Sequence, residues 1–297
     1  MRHERIVIIG AGPAGVSAAI QCQRLGVSPC LLDRDGQAGG LIGNAWRIEN
    51  LAGVTPCDGP AMAGRFQESL ARFNLAVERA VVERVGHAST GLLVEGSMGL
   101  IAAGAVILAP GTRPLSLDMP GISGATTRVF FEVRDLLRHG ARPNSVLVIG
   151  GGEAACDYAL SLAAVGASVT VVMRSGSPRA CRRLVDAVAG TPAITVCAKT
   201  TPRTYAEGPA SATLEVDTPE GEACLRAEGI LIAIGRVSRV PDLLDLDFGS
   251  ARTTEILPFP GAPLFIAGDA RHGGLGQLAM ALGDGVAAAT RAVATIT

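Results

Sequence analysis

Two stretches of this chain combine missing side chains with well-placed charged ones in the way that dinucleotide binding requires. In the first, Gly10, Gly12 and Gly15 are spaced G-x-G-x-x-G directly behind the apolar run Ile6-Val7-Ile8-Ile9, and Asp33 stands at the end of the next apolar run. In that pattern the first glycine allows a tight turn, and the second lets a pyrophosphate approach the backbone. The third packs helix on strand, and an acid at the following strand end accepts from a ribose diol. In the second stretch Gly150, Gly152 and Ala155 repeat the spacing around Glu153, but the strand end carries Arg174, followed by Ser175 and Arg179. A guanidinium cannot accept from a ribose hydroxyl. It bonds a 2′-phosphate through charge-assisted, bidentate contacts, with Arg179 and the Ser175 hydroxyl completing the pocket. The second site is therefore expected to take NADPH in preference to NADH, with NADH as the lesser substrate.

The elements that must position these residues follow from hydrophobic pattern. Short, unalternating Val/Ile/Leu runs at 5–9, 105–109, 146–149, 169–173, 230–234 and 264–267 predict buried parallel strands. Ala- and Leu-rich stretches at 14–25, 60–73 and 154–165 have helical spacing. Strand, glycine turn, helix, strand is the rhythm of a doubly wound, three-layer α/β fold. It occurs twice, in 6–34 and 146–174, which implies two Rossmann-like nucleotide-binding domains. Proline-rich connectors at 109–121 and 235–242 flank the second copy. The expected layout is an outer domain of residues 1–114 and 241–297 with an inner domain, 115–240, inserted into it.

Composition narrows the class. Twenty-six Lys plus Arg balance 27 Asp plus Glu over 297 residues, so no basic stripe or acidic tail argues for nucleic acid or a membrane surface. The apolar runs fall well short of the about 20 residues of a spanning helix. The chain passes from Arg5 straight into a strand, which is expected of a cytoplasmic protein without a signal peptide. The seven cysteines are scattered and never spaced C-x-x-C, so neither a disulfide framework nor a zinc site is expected.

A set of motifs now stands in one order: "GAGPAG" (10–15), the glycine pair 39–40 in "AGGLI", "IEN" (48–50), "VILAPG" (106–111), "GGGEAA" (150–155), "IAIGR" (232–236) and "LFIAGDA" (264–270). With them the chain resembles the low-molecular-weight thioredoxin reductase family over essentially its whole length. The resemblance implies FAD in the outer domain. Gly10, Gly12, Ala14 and Gly15 would meet its pyrophosphate, Asp33 its ribose and Val81 its adenine. Gly40, Leu41 and Asn50 would lie toward the isoalloxazine, with Gly111 close by. Gly268 and Asp269 would hold the ribityl chain, and Gln277 would lie beside the flavin at the start of the last helix. The inner domain would take the nicotinamide nucleotide at Gly150, Gly152, Glu153, Ala155, Arg174, Ser175, Arg179 and Gly235. The position between the family's two phosphate-binding arginines, often a further arginine, is Ser175 here. The resemblance also implies a homodimer.

One departure is larger. Thioredoxin reductases carry C-x-x-C in the inserted domain ahead of its glycine turn, where this chain reads "TTRVFFEVRDLLRHGARPNSVLVIG" without a cysteine. Phe130 and Phe131 fall in that stretch. A flavin can take a hydride, but it cannot pass electrons to thioredoxin by the family's route without that dithiol. No catalytic side chain is nominated, since hydride transfer to a flavin needs none, and three readings of the electron acceptor stay open. The reduced flavin could serve a separate small redox protein or a diffusible acceptor, as in ferredoxin–NADP reductases of this scaffold. A lone cysteine, Cys57 or Cys156, could meet a small disulfide, although bacillithiol-disulfide reductase-like relatives place theirs in the first glycine turn, which here reads Pro13-Ala14. Or the chain could be a non-catalytic flavin subunit or an NADPH sensor in a larger assembly, hinged at its two connectors. Trp46 is read either as a flavin neighbour or as a partner anchor, and His272 as a flavin or acceptor contact or as a solvated loop residue.

Overall fold

Runs of branched aliphatic residues with no polar alternation can only be strands buried on both faces, and they become the parallel strands of two sheets. In the computed structural model of the chain, residues 1–88, 91–122, 126–138, 142–244, 262–272 and 276–297 are described. They divide into one unit of Met1–Gly43, Ile48–Arg113 and Val237–Thr297 and another of Asn44–Arg47 and Pro114–Arg236. Residues 245–261 and 273–275, within the stretch assigned above to the outer domain, lie outside the described residues.

The first unit runs β1 (Arg2–Ile9), α1 (Pro13–Arg24), β2 (Cys30–Asp33), α2 (Gly59–Arg72), β3 (Val77–Arg79), β4 (Val82–His87), β5 (Leu92–Gly96), β6 (Gly99–Leu108) and β7 (Thr112–Pro114). The second runs β8 (Val129–Phe130), α3 (Val133–Leu136), β9 (Ser145–Ile149), α4 (Glu153–Ala164), β10 (Ser168–Val172), α5 (Arg182–Ala189), β11 (Ile194–Cys197), β12 (Thr201–Glu207), β13 (Ala212–Thr218), β14 (Gly221–Ala227) and β15 (Gly229–Ile232). After β16 (Arg236–Ser238) the chain returns to the first unit as β17 (Asp242–Leu243), β18 (Leu264–Ile266), α6 (Asp269–His272) and α7 (Leu278–Ile296).

In the first unit the sheet order is β17-β4-β5-β6-β1-β2-β3, with β18 also on β6. Strands β3, β2, β1, β6 and β18 pair in parallel, whereas β4–β5–β6 is antiparallel. Its core is aliphatic: Val7, Leu32, Val85, Leu92, Val94, Val106, Leu108 and Leu264 are sealed from solvent. Helix α1 is caught between this sheet and α7. A Cβ at Gly285 would overlap the carbonyl oxygen of Ala14, and the Ser17 hydroxyl donates to the Leu282 carbonyl at 2.8 Å. The small residues of α7 are therefore what lets two helix backbones touch.

The second unit has a parallel sheet, β11-β10-β9-β15-β8, and a separate antiparallel sheet, β12-β13-β14. That second sheet is absent from the sequence expectation of parallel strands. Its outer residues are mostly exposed and polar, and only Tyr205, Ala212, Leu214, Val216 and Ala227 are buried in it, against Leu147, Ile149 and Val172 of the main sheet. Beneath α4, buried Glu132 carries an ion pair to Arg236 (2.8 Å) and accepts from Asn44 Nδ2 (2.8 Å) and the Tyr158 hydroxyl (2.9 Å). A charge this deep is tolerable because its lone pairs are matched. Trp46, left with two readings above, packs against the small cluster Cys156, Leu160 and Val188, and its backbone N–H donates to Asp157 Oδ2 at 2.8 Å. Burial raises the Asp157 carboxyl to about 6, with the Trp46 hydrogen bond opposing the shift.

Two outcomes follow. Gly285→Ala should lower Tm, with a loss on the order of 2–4 kcal/mol, although alanine is the better helix former, because the new methyl forces α7 off α1; differential scanning calorimetry reads it. For Asp157 the folded carboxyl titrates above its ordinary value, so its contribution to stability is full at pH below about 4 and is lost as pH rises through about 6. Asp157→Asn keeps the acceptor for Trp46 and removes the titration. The variant should therefore gain about 2 kcal/mol relative to wild type between pH 4 and 7 in urea melts.

Candidate functional site

In open α/β sheets ligands bind beyond the carboxyl ends of parallel strands, and the residues singled out in the first unit gather there. Gly10 follows β1, Asp33 ends β2, Gly111 lies just past β6, and Gly268-Asp269 follow β18. Gly10 has φ +103°, and a Cβ on it would overlap the Ala109 carbonyl oxygen. A Cβ on Gly15 would overlap the Gly10 carbonyl oxygen. Gly12 is different: nothing lies within 4 Å of where its Cβ would be. It caps α1 without a side-chain bond, with Pro13 at the first turn, so no capping side chain satisfies the first helix amides. That combination, two glycines forced by crowding and one left clear at a helix start, is a cradle for a phosphate group.

Asp33 has a second task. Its Oδ2 accepts from Ala11 N at 2.9 Å and its Oδ1 from Asp35 N at 2.8 Å. The carboxylate thus holds the glycine turn in shape, and each oxygen keeps a further lone pair for a hydroxyl donor. The Gly39-Gly40 pair closes over the same turn: Gly39 N donates to Ala11 O at 2.8 Å, and a Cβ on Gly40 (φ +55°) would come within 3.1 Å of Gly12 Cα. Leu41, next along, is half-buried. Val81 is 45% exposed, one residue beyond Ala80, whose amide donates to the Asp33 carbonyl. An exposed apolar side chain beside the strand-end acid is a surface on which a planar base could lie.

At the other end of the cradle, Asn50 Nδ2 donates to Gln277 Oε1 at 2.6 Å. This joins two residues far apart in sequence at the uncapped N-terminus of α7. Gly111 (φ +66°) has no atom within 4 Å of a built Cβ. Gly276 is glycine for a visible reason, since a Cβ there would overlap the carboxylate of Asp269. Behind this loop lies a group the sequence reading missed. Asp284, on α7, accepts from Gly268 N (3.0 Å) and pairs with Arg271 Nη1 (3.0 Å) and His272 Nε2 (2.7 Å). The Arg271 side chain is only 7% exposed and that of Asp284 11%. His272, left open above, is thus tied to the last helix. The spacing of Asp284 from "GDARH" carried no motif that could have revealed it.

The second unit repeats the turn. Gly150 (φ +148°) donates its N–H to Val172 O at 3.0 Å, and a Cβ on it would overlap Ala233 O. Gly152 is open, and the methyl of Ala155, the third residue, lies 3.3 Å from where a Cβ on Gly150 would stand. Glu153 is engaged locally, accepting from Cys181 N at 3.3 Å. Arg174 follows β10, and Ser175 donates to the Ser177 carbonyl at 2.8 Å. Arg179 N donates to Gly151 O at 2.6 Å and bridges Gly152, so the backbone of Arg179 is fastened to the glycine turn. Among the described residues neither Arg174 nor Arg179 has an ion pair. Gly235 (φ +129°) receives the Leu115 amide on its carbonyl at 3.0 Å.

Of the two cysteine candidates, Cys156 is not arranged as a nucleophile. Cys156 is 1% exposed inside α4, and burial raises its thiol, which disfavours the thiolate. Cys57 is half-buried and paired by backbone bridge with Ile48. Among the described residues no group of His, Cys, Asp and Glu could hold a metal ion, and no helix is long and apolar enough to cross a membrane. The donor sets and the two clear glycines fit the two dinucleotides expected from the sequence.

Comparison with known proteins gives the family and the fold. Thioredoxin reductase of Bacillus subtilis is 28% identical over 295 residues, 96% of this chain and 92% of that protein. Glucosaminate ammonia-lyase of Pseudomonas fluorescens is 31% identical over 195 residues, and the match spans 63% of this chain and 58% of that protein. The crystal structure of Lactococcus lactis thioredoxin reductase superposes with a TM-score of 0.87 at 25% identity, covering 99% of each chain. Residues 4–285 match the pyridine nucleotide-disulphide oxidoreductase family. The chain belongs to that family and is an FAD-dependent NAD(P)H oxidoreductase with the two Rossmann-like domains of the thioredoxin reductase fold.

Proposed function

We propose that the chain binds FAD in its first unit and NADPH in its second, and passes the electrons to an external acceptor rather than through a dithiol of its own. The observation that carries this reading is the contrast between the two strand ends. Asp33 is bonded into the first glycine turn and retains acceptor capacity for a ribose diol. Arg174 and Arg179 stand around the second without an ion pair among the described residues. When bound, the flavin takes a hydride from the reduced nicotinamide and yields two electrons to the acceptor.

The chain's own residues then have defined tasks. Gly12 and the first amides of α1 hold the pyrophosphate, Asp33 the ribose, and Val81 covers the adenine. Asp269 holds the ribityl chain. Gly40, Leu41 and Gly111 line the ring, while the Asn50–Gln277 pair holds the start of α7 toward it, where unpaired helix amides favour negative charge. In the second unit Gly150, Gly152 and Ala155 admit the pyrophosphate with Gly235 nearby along the chain's return, and Arg174 and Arg179 receive the 2′-phosphate beside the Ser175 turn.

The acceptor in this reading is a small redox protein or diffusible molecule, and the protein is cytoplasmic and, as the family resemblance suggests, a homodimer. The absence of any C-x-x-C in the sequence supports an external acceptor, and the burial of Cys156 weighs against a lone-cysteine route.

Anaerobic titration checks the first half. NADPH should bleach the flavin absorbance near ~450 nm stoichiometrically, with NADH much slower. Arg174→Ala should raise KM for NADPH about 10- to 100-fold and leave KM for NADH nearly unchanged. Bleaching by neither nucleotide would sink the enzyme reading in favour of a docked subunit. For the second half, the Cys57→Ala/Cys156→Ala double variant should be reduced by NADPH and reoxidised by ferricyanide at wild-type rates. Turnover of a low-molecular-weight disulfide by wild type that this variant loses would instead establish the lone-cysteine route.

A further inference from the structure

Lys199 is the only lysine in the sequence; every other Lys or Arg position is arginine. It lies in the turn between β11 and β12, past the carboxyl end of a strand that runs parallel to β10. That is the same edge of the sheet on which Arg174 stands. Its φ is +52°, and among the described non-glycine residues only Asn74 shares a positive φ. Asparagine suits that left-handed conformation, whereas the Cβ of a lysine is crowded in it. Glycine would be easier here, yet the position carries a long cation.

The turn is fastened to the second nucleotide site. Lys199 N donates to Ser175 O at 3.0 Å, and Thr200 N donates to Met173 O at 2.9 Å. The side chain runs back over Gly176, where a built Cβ would lie 3.5 Å from Lys199 Cε. The stem therefore lies along the 175–177 turn, and the residue is exposed. Neighbouring arginines are engaged: Arg182 pairs with Asp186, and Arg203 with Asp217 and Glu222. Among the described residues Lys199, like Arg174 and Arg179, has no ion pair. Ser175 cannot supply charge, and its hydroxyl already donates within its own turn to Ser177 O.

We propose that Lys199 is a third phosphate-binding cation of this site, reaching from the neighbouring strand to supply the positive charge that Ser175 lacks, so that it sets the preference for a nucleotide carrying a 2′-phosphate. This rests on the NADPH reading above. A compact ammonium on a flexible stem is a point charge, in contrast to the planar fork of Arg174. Its contribution is to affinity and salt dependence more than to geometry.

The test uses the purified flavoprotein and two ligands that differ only in the phosphate, adenosine 2′,5′-bisphosphate and 5′-AMP, titrated by calorimetry. Lys199→Gly should weaken the bisphosphate about fivefold to tenfold, leave 5′-AMP unchanged and leave Tm undiminished, since glycine accepts the turn's φ. Lys199→Arg should retain most of the affinity. Because Lys199 is the sole ε-amine, its acetylation by an N-hydroxysuccinimide ester, mapped by mass spectrometry, should be slowed by the bisphosphate and not by 5′-AMP. Equal bisphosphate affinity in wild type and Lys199→Gly, or equal weakening of both ligands, overturns the role of Lys199. If wild type still prefers the bisphosphate in that experiment, the NADPH reading stands. If wild type binds the two ligands equally, both fall together.

Discussion

Where β1 gives way to α1, the Gly10 carbonyl oxygen points into the helix so closely that residue 15 can have no side chain. Gly10 itself sits under the carbonyl of Ala109. This backbone-on-backbone contact puts the start of α1 over the ends of β1 and β6 and leaves Gly12 open beside them. Everything proposed for the first nucleotide depends on it. The Asp33 carboxylate bonds the amide of Ala11 within the turn, Gly39 and Gly40 close over it, and α7 can reach α1 only because Gly285 is as bare as Gly15. A single added methyl at several of these points has nowhere to go.

The second unit solves the same problem with slightly more room. Ala155 stands where the first unit has Gly15. The difference between the sites is therefore in their electrostatics and hardly in their backbone. One strand end is an acid absorbed into its own turn, and the other is a set of cations left without partners among the described residues. Such a set suits an anionic ligand.

Much of this was legible in the sequence. The apolar runs 146–149 and 230–234 correspond to β9 and β15, and the helical stretches 14–25, 60–73 and 154–165 to α1, α2 and α4, each within a residue or two. Such runs are readable because burial on both faces removes any competing polar pattern. The antiparallel β12–β14 sheet escaped because its strands alternate around a few buried residues, such as Tyr205 and Leu214, amid Thr, Arg and Glu. The Asp284 cluster and the Asn50–Gln277 bond escaped for another reason. They join residues whose distance along the chain bears no relation to their distance in space. Lys199 was invisible as a type, being one exposed lysine in a turn, until its φ and its contact with Gly176 were known.

The tie between α1 and α7 has a consequence for synthesis. Residues 13–24 pack on the sheet and on α2, but their most extensive partner is residues 278–296, so on the ribosome α1 emerges long before that surface exists. Most of the second unit, by contrast, is one uninterrupted stretch, Pro114–Arg236, and its sheet can assemble while the chain is still growing. The first glycine turn therefore gains the support of α7 only after the whole of the second unit has been made.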